Sequence, residues 1–122
     1  MDEIQEYCNK AKIKHKHSKV LYEMEGYADS VSLSYYSMLL IAKALLLKKG
    51  LKPKTHSGLI SVFGKEYVRN DDFNLKVFSN FSRTEPLRNN SDYDAIDEIT
   101  KEDAKNAISY VEDFFKEAER FL

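Results

Sequence analysis

The segment from Ala28 to Lys49 constrains the fold most. Val31, Tyr35, Met38, Leu39, Ala42, Leu45 and Leu46 recur at spacings of three and four, which lines them along one side of a helix. Gly50 follows where a C-terminal cap belongs. Leu40, Ile41 and Leu47 extend the apolar surface around the helix. A helix apolar over so much of its circumference must be central to a bundle or must meet a second subunit. Lys43 interrupts it after the run Met38 to Ala42, which is far short of the roughly 20 apolar residues that cross a bilayer. No membrane span is therefore expected.

The remaining segments supply partners for that helix. From Asp2 to Glu25, Ile4, Tyr7, Cys8, Ala11, Leu21 and Met24 keep near one helical face, and Gly26 is a plausible stop. After the loop Lys52-Pro53-Lys54-Thr55-His56-Ser57-Gly58 comes a shorter helix with Leu59, Ile60, Phe63 and Tyr67. Asp71 or Asp72 can cap the next, which carries Phe73, Val77, Phe78 and Phe81. Arg88 to Ile99 is polar and without period, and reads as an ordered loop. Thr100 caps a final helix whose stripe is Ala104, Ala107, Ile108, Val111, Phe114, Phe115, Ala118 and Phe121. No segment alternates long enough to be a strand. With only four glycines and two prolines among 122 residues, long elements are favoured, and residues 1–122 are expected to form one all-α domain, an up-and-down bundle of four to five helices.

Several function classes recede on composition. A chain that is 43% hydrophobic and 32% charged is neither disordered nor membrane-embedded. Its acidic start, Asp2 and Glu3, is unlike a signal or transit peptide, so the expected compartment is the cytoplasm. The lone Cys8 forms no internal disulfide and reads as a packed or half-buried thiol. His15 and His17, two apart on a helix, point to nearly opposite sides, which suits a solvated lysine-rich face better than a metal site. No Gly-rich phosphate loop and no Ser/His/Asp arrangement is present, and no cofactor is called for. Charge is lopsided: Ser30 to Lys65 holds six lysines and no acid, whereas Asp92 to Leu122 holds ten acids against Lys101, Lys105, Lys116 and Arg120. That split can serve an anionic ligand and a basic partner, or faces that complement each other within the fold.

Four motifs follow one another along nearly the whole chain: Ser34-Tyr35-Tyr36-Ser37-Met38 with Ala42-Lys43-Ala44-Leu45-Leu46; Lys54-Thr55-His56-Ser57-Gly58 with Phe63; Arg88-Asn89-Asn90-Ser91-Asp92-Tyr93-Asp94; and Glu98-Ile99-Thr100-Lys101-Glu102-Asp103-Ala104. In this order the chain resembles the HEPN family, in particular its short stand-alone prokaryotic members. The resemblance implies a dimerising bundle of about five helices. It also implies one of several activities: a metal-independent ribonuclease, often a toxin, that uses an arginine and a histidine with four to six residues between them; a partner of a minimal nucleotidyltransferase; or a binding protein without catalysis.

Cleaving RNA requires a proton carrier near neutral pH and a cation facing the phosphorane. Arg88 matches the motif arginine, but Tyr93, Asp94 and Ala95 stand where the histidine belongs, and no histidine follows His56. Leu33 stands where relatives usually carry an arginine, and Ser34 where they carry an alanine. Three readings of the loop stay open. Arg88 pairs with Asp92 or Asp94 while Tyr93 packs; Arg88, Asp92 and Tyr93 bind phosphate and base; or Arg88 and Tyr93 are catalytic, with His56 or Tyr93 as the proton carrier. In nucleotidyltransferase-paired relatives the motif tyrosine itself accepts nucleotide, which would fall to Tyr93. Lys52, Lys54 and His56 at a helix start offer a second anion site, unless Thr55 or Ser57 merely caps the helix and His56 supports it. The expected protein is thus a cytoplasmic HEPN-like homodimer, a toxin-like or regulatory partner of a minimal nucleotidyltransferase that binds RNA or nucleotide. A plain interaction module, docking through its acidic last helix, is the alternative.

Overall fold

The computed structural model describes the backbone of residues 2–93 and 99–122, and the side chains of residues 2–86 and 99–122. Five α-helices succeed one another: α1 (Glu3–Glu23), α2 (Tyr27–Lys48), α3 (His56–Phe63), α4 (Leu75–Tyr93) and α5 (Lys101–Ala118). No strand occurs among the described residues. α3 passes directly into a π-helical segment, Gly64–Arg69. This all-α bundle is the fold class that the apolar periodicities imply.

α2 is the central element and packs against α1, α5 and α4. Val31, Tyr35, Met38, Ala42, Ala44, Leu45 and Leu46 are fully buried along it. By length and composition α2 could cross a membrane, although 67% of its apolar window is buried inside the bundle. Most of its apolar circumference is thus buried within the chain, while Leu33, Tyr36, Leu40 and Leu47 stay half-buried along its outer side. Phe63, Phe73, Phe81 and Phe114 complete the core, with ring centroids 5.0–5.8 Å apart from one partner to the next. Gly64 lets Phe78 approach, since a Cβ there would stand 3.1 Å from the ring.

Helix ends follow local chemistry. Asp2 accepts from Gln5 N at 2.8 Å to open α1. Gly26 is not the residue that turns the chain. Glu25 takes the left-handed conformation, φ 64°, while Gly26 N donates to Leu21 O at 2.8 Å and Glu25 N to Tyr22 O at 3.0 Å. The end of α2 repeats this motif with Gly50 at φ 74°. α4 is capped by neither Asp71 nor Asp72: Asn74 Oδ1 accepts from Val77 N at 3.0 Å. Asp71 is held instead by Lys49 at 2.7 Å, and Asp72 sits at φ 61° with its carbonyl accepting from Arg120. Thr100 and Asp103 form a reciprocal capping box at the start of α5, with bonds of 3.1 and 3.0 Å.

α4 corrects the expected loop. Its helical backbone runs past Pro86 through Arg88, Asp92 and Tyr93. Polar composition hid this, because the residues after Pro86 carry no apolar stripe by which a helix is recognised. Basic residues of the middle segment are partly answered within the fold. Lys49 also reaches Glu66 at 3.7 Å and lies over the Tyr67 ring at 4.3 Å, and Lys52 pairs with Glu3 at 3.6 Å.

Candidate functional site

His56 opens α3 immediately after its cap. Thr55 Oγ1 accepts from Gly58 N at 3.0 Å, and a Cβ on residue 58 would fall 2.8 Å from that oxygen, so the cap sits tight against the glycine. The capping reading of this loop is therefore realised by Thr55 and not by Ser57. The His56 ring is half-buried and lies 5.9 Å from both Tyr35 and Tyr36 of α2, tilted at 52° to the first and edge-on at 78° to the second. Tyr35 and Tyr36 meet each other at 5.6 Å, and Tyr35 stacks on Phe81 of α4 at 5.8 Å. Three helices thus meet at one aromatic cluster, whose outer members are Tyr36 and His56. Lys54 is exposed beside it, and Lys52 is engaged with Glu3.

α4 leads away from this cluster. Arg88 follows Phe81 by seven residues, about 10 Å along the helix axis, and Asp92 follows one turn later. The side chains of Arg88, Asp92 and Tyr93 lie outside the described residues, as do Asp94 and Ala95 entirely. Tyr36 was the member that spacing did not single out. Its only sequence signal is adjacency to Tyr35 in a motif, because an outward-facing tyrosine leaves no periodic trace.

The two histidines of α1 diverge as their spacing requires, with His17 exposed and His15 buried. The solvated face expected for both is therefore correct for His17 alone. His15 Nε2 lies 3.3 Å from Glu112 Oε2, its ring meets Phe115 edge-on at 5.5 Å, and its buried Nδ1 has no hydrogen-bond partner among the described residues. Burial pushes its pKa below 6.5, with Lys19 adding to the fall and Glu112 opposing it. Cys8 is half-buried and its thiol is pushed up, chiefly by burial, which makes it a poor nucleophile. Tyr67, whose hydroxyl donates to Leu45 O, is pushed up to about 12 by burial and by Asp71 and Glu66.

The family model described as the HEPN domain matches residues 4–121. The chain belongs to the HEPN family. Two HEPN relatives from Methanocaldococcus jannaschii are each named as a putative toxin. One is 34% identical over 120 residues, covering 98% of this chain and 82% of the relative. The other is 35% identical over 106 residues, covering 86% and 78%. A Thermotoga maritima protein named as a UPF0332 protein is 30% identical over 105 residues, covering 86% of this chain and 80% of its own length.

Proposed function

We propose that this HEPN protein is a toxin-like or regulatory protein that acts by binding RNA or nucleotide as a homodimer, paired with a minimal nucleotidyltransferase, and that it does not hydrolyse what it binds. One observation carries the reading. The family match runs almost end to end and keeps Arg88, yet Tyr93, Asp94 and Ala95 occupy the place of the motif histidine. An arginine without a proton carrier still binds phosphate, because guanidinium recognition needs no titration at neutral pH. Tyr36 and His56 offer flat faces for an unstacked base, with Lys54 beside them for the backbone. The toxin-like role is supported by the names of the Methanocaldococcus relatives.

The test uses purified protein and fluorescently labelled single-stranded RNA. Binding that weakens at high salt, falls in Arg88→Ala and leaves the RNA intact is the expected outcome. Robust cleavage that requires Arg88 would overturn the non-hydrolytic part, and absence of binding to both RNA and free nucleotides would overturn the rest. Co-expression with a neighbouring nucleotidyltransferase gene, followed by co-purification, tests the partner.

A further inference from the structure

We propose that the outward face of α1 is a docking surface for a protein partner that presents an acidic amphipathic helix. Five large apolar side chains are notably exposed among the described residues, and three of them, Ile13 at 53%, Val20 at 50% and Met24 at 71%, lie along α1 and its C-cap. Their spacings of seven and four bring them onto one strip opposite the buried Ala11, His15 and Ser18. Met24, which spacing alone assigned to the core face, is the most exposed of the three. The strip spans about 16 Å, the length of three turns of a partner helix.

Lysines border it. From Asn9 to Tyr22 the sequence holds Lys10, Lys12, Lys14, Lys16 and Lys19 and no acid; Glu6 and Glu23 mark the ends. Lys10 and Lys14 also line a groove with Ile13 and with Leu40 of α2, which continues the apolar strip onto the neighbouring helix. None of Lys10, Lys14 and Lys16 has an ion-pair partner among the described residues, unlike Lys49 and Lys52. An apolar centre with an unanswered basic border is complementary to an apolar row bordered by carboxylates.

Charge and shape decide between occupants. Two copies meeting through this face would set lysines against lysines. Among the described residues no complement is exposed elsewhere, since the other exposed large apolar residues, Leu75 and Leu122, lie singly and α5 has none. Phosphate backbones would satisfy the lysines and leave Ile13, Val20 and Met24 uncovered. A protein helix satisfies both. This surface is separate from the His56 cluster, so the RNA-binding reading and the docking surface stand or fall independently.

The probe is a synthetic helical peptide with leucines at one face and glutamates beside them, compared with a lysine-for-glutamate version and a serine-for-leucine version. Fluorescence anisotropy is read on the full chain and on Val20→Ser, Lys14→Glu and Leu75→Ser, each shown folded by circular dichroism. The acidic leucine peptide is expected to bind at least about tenfold tighter than either control, to weaken with salt, and to lose about tenfold in Val20→Ser and Lys14→Glu but not in Leu75→Ser. Equal binding of the three peptides, or equal loss in Leu75→Ser, would overturn the proposal. So would self-association that Val20→Ser abolishes, or RNA or phosphatidylglycerol vesicles binding through Val20 where the peptide does not.

Discussion

Ser18 of α1 and Ser34 of α2 bring their hydroxyl oxygens to 2.7 Å inside the bundle, where both are fully buried. Ser18 also meets Ser30, at 3.1 Å to its hydroxyl and 3.0 Å to its carbonyl, and Ser30 returns a bond of 2.9 Å to Ser18 O. Farther along the seam, Ser37 donates to Ala11 O at 2.7 Å. Small residues let the two backbones approach closely enough for hydroxyls to reach across, and the polar seam fixes which turn of α1 faces which turn of α2. Ser34 thus has a partner of its own. Ser34→Ala is expected to lower stability by about 1 kcal/mol. Ser18→Ala/Ser34→Ala should cost less than the sum of the single changes, because the two share one bond. Urea unfolding of the four proteins measures this, and strict additivity would contradict it.

His15 makes stability depend on pH. Its folded pKa lies below 6.5, so above that value both states are neutral and the histidine carries no penalty. As pH falls below 6.5 the unfolded chain takes up a proton that the folded one resists, and stability declines until the folded pKa is reached. His15→Leu removes that proton and the unpartnered Nδ1 together. Melting curves between about pH 7.5 and 5.5 should show a smaller acid-side decline for the variant than for the parent. Parallel curves would show that His15 is not the titrating group.

Glu25 holds a left-handed conformation that costs an L-residue about 1–2 kcal/mol, while Gly26 beside it does not need one. Glu25→Gly should relieve most of this, less the entropy that glycine adds to the unfolded chain. A rise in melting midpoint of about 1–3 °C is expected by calorimetry. Gly50→Ala, at φ 74° with open space around it, should move the midpoint the other way.

His56 lies edge-on against Tyr36, with ring centroids 5.9 Å apart. Under the proposed function, His56→Ala should weaken single-stranded RNA binding by about tenfold, and His56→Phe should retain most of it. Anisotropy titrations at fixed salt distinguish the two. Equal loss in both variants would assign the histidine a hydrogen-bonding role in place of a stacking one.

The Thr100 cap, the Gly50 turn and the stripes of α2 and α5 were legible in the sequence because each is set by chemistry within a few residues. Apolar spacing states that a helix has a buried face, and capping residues state where it starts. Neither states what lies opposite. Only the tertiary structure decided that α2 sits at the centre of the bundle with Leu40 and Leu47 left half-buried, that His15 turns inward to Glu112, and that Met24 turns outward. It also decided that α4 carries Arg88 on a helix and not on a loop. Those outcomes depend on which helices become neighbours. That depends on the sum of packing and charge over the whole bundle, a quantity that no local window of sequence contains.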